Sequence, residues 1–499
     1  MSTLTSLARA RAVAHGIAQP VCTVRHVHIS DHPLALIPLT LAGEANAPLA
    51  VMVGAEPRSS RLLVVSQPRN RDQRFAFAAQ LAEIVLAYLD GYEPSWPGSE
   101  PSERFGDAPQ IIVPNAAGIG FLRLLGRSTR FRRSSGEHAV DPAVPELGRW
   151  LTFYAERSEY PGSCLLLAAT QALALHWASG QSPIEDLNLA SLLGWIEPPP
   201  GMTGAQAAVA AEDPVGSPPA GPATDPTFDN EVLAALIAAC GRPDADPGTR
   251  RRAQSALETA LTGQLTRTWK LVWHAVDLLR ALPPGDRVAG RWDTDVDAFL
   301  GYSEYLRDGG PPQPRRDSAV AAARRLNWLE RVQASYAAQR ALDDPLVLAD
   351  YRLTGEAFGG EVVTAEPARI DATGKRRKLR PLVTVLTQDW LRVGPGAELI
   401  SPARPAQTAT IMSVTTRPAA DPLDSVAEVV LELAGGMGRA LTPAPGSVPE
   451  VGERLSYTTL TDSYQLRGSF PAREDTPWTH GGPPPEYVPD ADDATEEWS

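Results

Sequence analysis

Leu34-Ala35-Leu36-Ile37-Pro38-Leu39-Thr40-Leu41, Leu49-Ala50-Val51-Met52-Val53 and Leu62-Leu63-Val64-Val65 are three short runs of β-favouring residues, parted by Gly43-Glu44-Ala45-Asn46 and by Glu56-Pro57-Arg58-Ser59. Runs of this length between clusters of turn residues read as strands. Val21–Ile29 reads as another, broken off by Asp31-His32-Pro33. The period then changes. From Asp72 to Leu89, Phe75, Ala78, Ala79, Ala82, Leu86 and Leu89 recur at helical spacing. A strand at Ile111–Val113 leads into a helical run around Ile119–Leu125. Strands first and helices after them predict an α/β domain over residues 1–135.

Downstream the chain turns helical over 136–197. Ser182-Pro183-Ile184-Glu185 has the form of a capping box with proline in the first turn, and predicts a helix over Ile184–Trp195. Residues 198–226, rich in Pro, Gly and Ala, lack a usable period and read as a linker or long loop. Helices resume over 227–352, where Trp269 and Trp273 stand four apart as two core aromatics on one face. His176 and His274, each beside a tryptophan in an apolar helical run, read as core residues. Over 355–485 the runs Glu361–Ala365, Leu382–Thr387, Glu398–Ile400, Ala409–Val414, Glu428–Leu433 and Arg454–Thr459 predict a small β-barrel or sandwich. Residues 486–499 carry six acids and no base, and read as a disordered acidic tail. The fold class expected is multidomain α+β: an N-terminal α/β domain, a helical middle and a C-terminal barrel-like module.

The lysine content excludes several chemistries. Lys270, Lys375 and Lys378 are the lysines, and the rest of the 46 lysine and arginine residues are arginine, permanently charged and suited to bidentate anion contacts. A P-loop needs Gly-Lys-Ser/Thr, but Arg376 follows Lys375 and Trp269 precedes Lys270. The net charge of −13 argues against indiscriminate binding to polyanions, so any such binding belongs to local patches. Cys22, Cys164 and Cys240 are few and far apart, which favours a reducing compartment. The opening residues lack the apolar core of a signal peptide. The longest apolar stretch, Cys164–Ala178, is interrupted by Gln171 and His176 and too short to span a bilayer. A cytoplasmic protein without a membrane partner is expected.

Arginines then form two clusters. Arg58, Arg61, Arg69, Arg71 and Arg74 straddle the strand ending at Ser66 and the helix beginning near Asp72, where free backbone N–H groups and the helix dipole favour an anion. Arg123, Arg127, Arg130, Arg132 and Arg133 surround Phe131 with no acid among them, a composition suited to phosphates and unstacked bases. Solvated surface accounts for the same residues. A third basic run, Lys375-Arg376-Arg377-Lys378 with Arg380, is expected at a β-hairpin tip or the start of its return strand, projecting to a phosphate backbone or protecting a sheet edge.

Other candidates are weaker. If Val21–Ile29 is a strand, Cys22, His26 and His28 share one face, and Asp31 and His32 follow in the turn; such ligands suit zinc, as a polar outer face also would explain. No other cofactor is expected. Gly118-Ile119-Gly120 lacks the third glycine and the acidic partner of a dinucleotide fingerprint. Ser163 and Cys164 are placed at a helix start, where a dipole lowers a thiol pKa, or simply form its cap.

Leu391-Arg392-Val393-Gly394-Pro395-Gly396-Ala397-Glu398-Leu399, followed by Glu428–Leu433, resembles part of the β-barrel that some superfamily 1 helicases carry beside their motor. No motor motifs accompany it, so the resemblance does not imply motor activity. The expectation is a non-catalytic, nucleic-acid-associated accessory protein working with a separate ATPase, helicase or nuclease subunit. Two alternatives stand beside it: a divergent metal-dependent nuclease or hydrolase using Asp31, Glu44 or Glu56, and an interaction scaffold that binds no anion.

Overall fold

The structure is a computed structural model and describes residues 2–44, 47–92, 107–374, 376–417 and 425–462. The chain divides into two compact units. The first comprises residues 5–21 and 25–332; the second comprises 333–467 together with residues 1–4 and 22–24.

The first unit is built on a five-stranded sheet. Its strands are β1 (Leu34–Thr40), β2 (Pro48–Glu56), β3 (Ser59–Val64), β4 (Ile111–Val113) and β5 (Leu166–Ala168), in the order β3-β2-β1-β4-β5. β1, β2 and β3 pair antiparallel, whereas β1–β4 and β4–β5 are parallel. Every residue of β1 is buried, as an uninterrupted apolar run in a central strand requires. Pro38 lies in this strand, yet β4 pairs only with Leu34 and Ala35, so no ladder bond to β4 is lost at the proline.

Of the helices α1 (Arg71–Asp90), α2 (Ala116–Thr129) and α3 (Ala143–Arg157), α3 packs on both of the others and all three pack on the sheet. α1 starts where the Asn70 side chain accepts from the Gln73 N–H, and it buries Phe75, Phe77, Leu81, Val85 and Leu89. Gly118 lets α2 close on β4, because a Cβ there would stand 2.8 Å from the Val113 Cβ. That close approach, not a dinucleotide turn, is the use of the glycine. The long helix α4 (Pro247–Ala281) crosses the sheet, and Trp269 Nε1 donates to the Pro57 carbonyl at 2.8 Å. Trp269 and Trp273 are both buried in one continuous core that runs from Ala12 to Phe299.

Three local expectations give way. Val21–Ile29 is not a strand. Its alternate N–H groups are taken by side chains instead of a ladder: His26 N donates to His176 Nε2, His28 N to Cys164 Sγ and Ser30 N to Gln110 Oε1. Ser182 and Glu185 do bond reciprocally, but the turn they start ends at Leu187, and Asn188 caps a separate helix, Leu189–Ile196. Within 198–226, Gly204–Ala211 is helical behind a capping box made by Thr203 and Gln206.

The second unit contains a closed six-stranded barrel. β6 (Ala357–Glu366), β7 (Leu382–Thr387), β8 (Glu398–Ser401), β9 (Arg404–Arg417), β10 (Val426–Ala434) and β11 (Arg454–Thr458) close in the order β7-β10-β9-β8-β11-β6. Alternation fixes which face is inside: in β10, Ala427, Val429, Leu431 and Leu433 are buried while their neighbours are partly exposed. Phe358, Val383, Val385, Ile411 and Tyr457 complete the interior. The molecule is therefore mixed helix and sheet, with an N-terminal α/β region and a C-terminal barrel. Among the described residues no helix is long and apolar enough to cross a membrane. Residues 486–499 lie outside the described residues.

Candidate nucleic-acid interface

The two arginine clusters meet at one ring. Phe75, in the second turn of α1, is buried, and the Arg71 guanidinium lies 4.7 Å from its centroid. Arg132, just beyond the end of α2, reaches the same ring at 5.2 Å. Each side chain is held by a backbone carbonyl: Arg71 Nη2 donates to His138 O at 2.9 Å, and Arg132 Nε donates to Ser128 O at 3.0 Å. Arg71 Nη1 also stands 3.2 Å from the carboxylate of its chain neighbour Asp72, whose side chain is 88% exposed. A pair that open to water is weak. Arg74 is half-buried beside them. Burial, and then the charge of Arg71, lower its pKa from the usual arginine value, with Glu44 opposing. Burial is the larger cause; the smaller one, the charge of Arg71, places a second cation nearby at the positive end of α1.

The other members of the clusters are disposed differently. Arg69 is bound to Glu44. Arg123 pairs with Glu159 at 3.0 Å, and Arg325 takes the other oxygen of that carboxylate. Arg130 is buried, with its Nε spent on the Gln313 carbonyl. Arg58, Arg61, Arg127 and Arg133 are exposed. Phe131 is not an open stacking platform: Arg130 lies 4.6 Å and Arg315 5.6 Å from its centroid. Both aromatic rings hold guanidiniums, so what the surface offers is fixed positive charge, suited to phosphate and indifferent to base identity.

In the barrel unit, Ile370–Asp371 and Lys378–Leu379 pair as a short antiparallel hairpin. Arg376, Arg377 and Lys378 are exposed at its tip and return arm, whereas Lys375 lies outside the described residues. Arg380 is at the base, 3.7 Å from Glu432, and Arg369 binds the same carboxylate at 2.7 Å. The run thus projects from a braced stem.

The metal candidates lose their shared face with the strand. His26 and Val27 are buried side by side instead of alternating, and His26 stacks over His176 at 5.8 Å. Asp31 and His32 are exposed. Cys22 belongs to the second unit, where the Asp344 carboxylate accepts from the N–H groups of Thr23 and Val24.

His28 joins a network that no spacing announced. Asp107 Oδ2 accepts from Ser30 Oγ at 2.7 Å, and Oδ1 accepts from Trp292 Nε1 at 3.0 Å. His28 Nε2 stands 3.7 Å from Oδ1, with its ring stacked 4.0 Å from Trp292. Burial pushes the Asp107 pKa up, but the nearby His28 imidazole and the hydrogen bonds from Ser30 and the Ala108 N–H outweigh it and leave the carboxyl below its ordinary value. This is not a nucleophile-and-base arrangement, because Ser30 gives its proton to the carboxylate and not to the imidazole.

Cys164 precedes β5 instead of opening a helix, and Asp295 explains its surroundings. That buried carboxylate accepts from Cys164 N at 2.6 Å, Ser163 Oγ at 2.7 Å and Arg157 Nη2 at 2.7 Å. Burial pushes the thiols of both Cys164 and Cys22 up to about 12. Titration of the native protein at pH 8 with an aromatic disulfide should therefore detect one accessible thiol, the partly exposed Cys240, and three after unfolding. Rapid native reaction of two thiols would contradict this placement. His176 is a buried core residue, its Nδ1 2.6 Å from the Ala172 carbonyl. His274 is not: it is half-exposed and pairs with Glu197 at 2.9 Å.

No protein-family model, curated protein or solved structure matches this chain.

Proposed function

We propose that the protein is a non-catalytic accessory subunit that grips the phosphate backbone of a nucleic acid and leaves nucleotide-driven or cleavage chemistry to a separate helicase or nuclease. The observation that supports it most is the convergence of Arg71 and Arg132, from different helices, on Phe75 with Arg74 beside them. Cations gathered at one point raise the local potential and favour a polyanion. The hairpin carrying Arg376, Arg377 and Lys378 supplies a second backbone contact. The absence of a phosphate-cradling lysine in the sequence supports assigning the chemistry elsewhere.

The alternative hydrolase reading has less support. Among its candidate acids, Glu44 is engaged by Arg69, whose hydrogen bond holds its pKa below the usual carboxylate value.

The test is fluorescence anisotropy of the purified chain with unrelated DNA and RNA sequences across a salt series. Affinity should fall log-linearly with salt, by roughly 0.7–0.9 units of slope per phosphate contact, and vary little with sequence. Added ATP should not be hydrolysed. Salt-independent binding, or none at all, would remove the reading. Strand-stimulated ATP hydrolysis abolished by one substitution in this chain would remove its accessory part.

A further inference from the structure

The loop that enters α1 also lines a cavity. This cavity, of about 380 Å³, is lined by Ser66, Gln67 and Gln73, from the β3–α1 connection, and by Arg242, Arg250 and Gln254, from the segment around the start of α4. Its volume falls in the ~300–1,000 Å³ range of small-molecule sites. Among the described residues no acid lines it. A cavity of about 520 Å³ in the barrel unit differs in this respect: its Arg352 is paired with Asp389 and its Arg454 with Glu361. Arg242 and Arg250 are exposed and form no ion pair among the described residues.

The polar walls are preset. Gln73 Oε1 accepts from Ser66 Oγ at 3.0 Å and from Gln67 N at 2.8 Å. Gln67 Nε2 donates to the Ile237 carbonyl at 2.7 Å, which occupies an acceptor near the end of the helix Ala234–Cys240. Gly241 allows that approach, since a Cβ there would be 2.8 Å from Gln67 Nε2. The N-cap acid of α4, Asp246, accepts from the Gly248 and Thr249 N–H groups, and the first acid within the helix, Glu258, is bound by the Gln254 amide at 3.2 Å. Burial, then Glu258, push the Cys240 thiol pKa up, so no thiolate competes for the space.

We infer that this cavity is a binding site for a phosphate monoester, with Arg242 and Arg250 as its two permanent cations and the fixed amides around the attached group. Two planar guanidiniums match a dianion in charge and in bidentate geometry. The volume exceeds what an inorganic oxyanion fills, so the phosphate carries an organic group: a free nucleotide or the 5′ end of a strand. The site uses none of the residues around Phe75 and does not depend on the reading given to them.

Calorimetric titration of the full chain with inorganic phosphate, adenosine 5′-monophosphate and adenosine tests the chemistry. Matched oligonucleotides with a 5′-phosphate or a 5′-hydroxyl distinguish the sources. The nucleotide is expected to bind and adenosine not to. Changing Arg242→Ser and Arg250→Ser together should weaken the nucleotide by at least roughly a hundredfold, about tenfold for each charge-assisted hydrogen bond removed. Changing Arg71→Ser and Arg132→Ser should leave that affinity intact. A 5′-phosphate that tightens strand binding in the wild type, but not in the Arg242/Arg250 variant, identifies a strand end. Tight mononucleotide binding without that dependence identifies a small molecule. The proposal is overturned if neither phosphorylated ligand binds more tightly than its unphosphorylated counterpart, or if the double variant binds as the wild type does. Strand binding indifferent to the 5′-phosphate, with no nucleotide binding, would end this proposal while leaving the backbone-binding reading standing.

Discussion

Replacing Asp295 with alanine is expected to lower the unfolding free energy of the N-terminal unit by about 3–5 kcal/mol, the usual loss when one partner of a buried ion pair is removed. Asp295 is 1% exposed and accepts three short hydrogen bonds, from Arg157, Ser163 and the Cys164 N–H. Alanine would leave a mostly buried guanidinium, a hydroxyl and a backbone N–H without their acceptor. Asparagine would retain one acceptor oxygen but no charge, so Asp295→Asn should be destabilised less. Urea unfolding followed by tryptophan fluorescence would read the effect, since Trp150 and Trp292 lie in the same core. A midpoint unchanged in the alanine variant would refute the role assigned to this carboxylate.

Asp295 also shows where a sequence is legible and where it is not. Asp293, Asp295 and Asp297 are visible as a cluster of acids, but nothing local says that the middle one faces inward to a serine and an arginine more than a hundred residues away. Period is a local property. Hence the strands 34–40 and 48–56, the helix 71–90 and the alternation in 426–434 could be read directly. The segment 26–30 could not, because the acceptors that replace its ladder (His176, Cys164 and Gln110) come from distant parts of the chain. Two misses had local signals. Asn188 is a good N-cap within the expected helix 184–195, and Thr203-x-x-Gln206 is a capping box inside what read as a linker.

The candidate interface divides in the same way. Arginine clusters can be found by counting, but how each arginine is held is a tertiary fact. Glu44 answers Arg69 and Glu159 answers Arg123, while Arg71 and Arg132 come together on an aromatic ring. Helical spacing marks Phe75 as a core residue of α1, and it is one; its second use depends on where α2 ends.

That distinction yields the largest expected functional effect. Changing Arg71, Arg74 and Arg132 together to serine should reduce the salt slope of strand binding by about three units and weaken binding roughly a hundredfold near 0.15 M salt, if each makes one phosphate contact. Phe75 stays buried in its cluster with Ala78, Val140 and Val144, so the fold should survive without two cation–π interactions of about 0.5–1 kcal/mol each. Arg123→Ser is the matched control. It removes the same charge from a side chain already answered by Glu159, and should barely move the slope. A weakening by the control equal to one third of the triple variant's, in logarithmic units, would mean that net charge alone governs binding and that convergence on Phe75 is incidental. A large effect of the triple variant beside a silent control is what a preset phosphate grip requires. Each phosphate that one of these arginines neutralises releases cations condensed on the strand, whereas Arg123 would first have to give up Glu159.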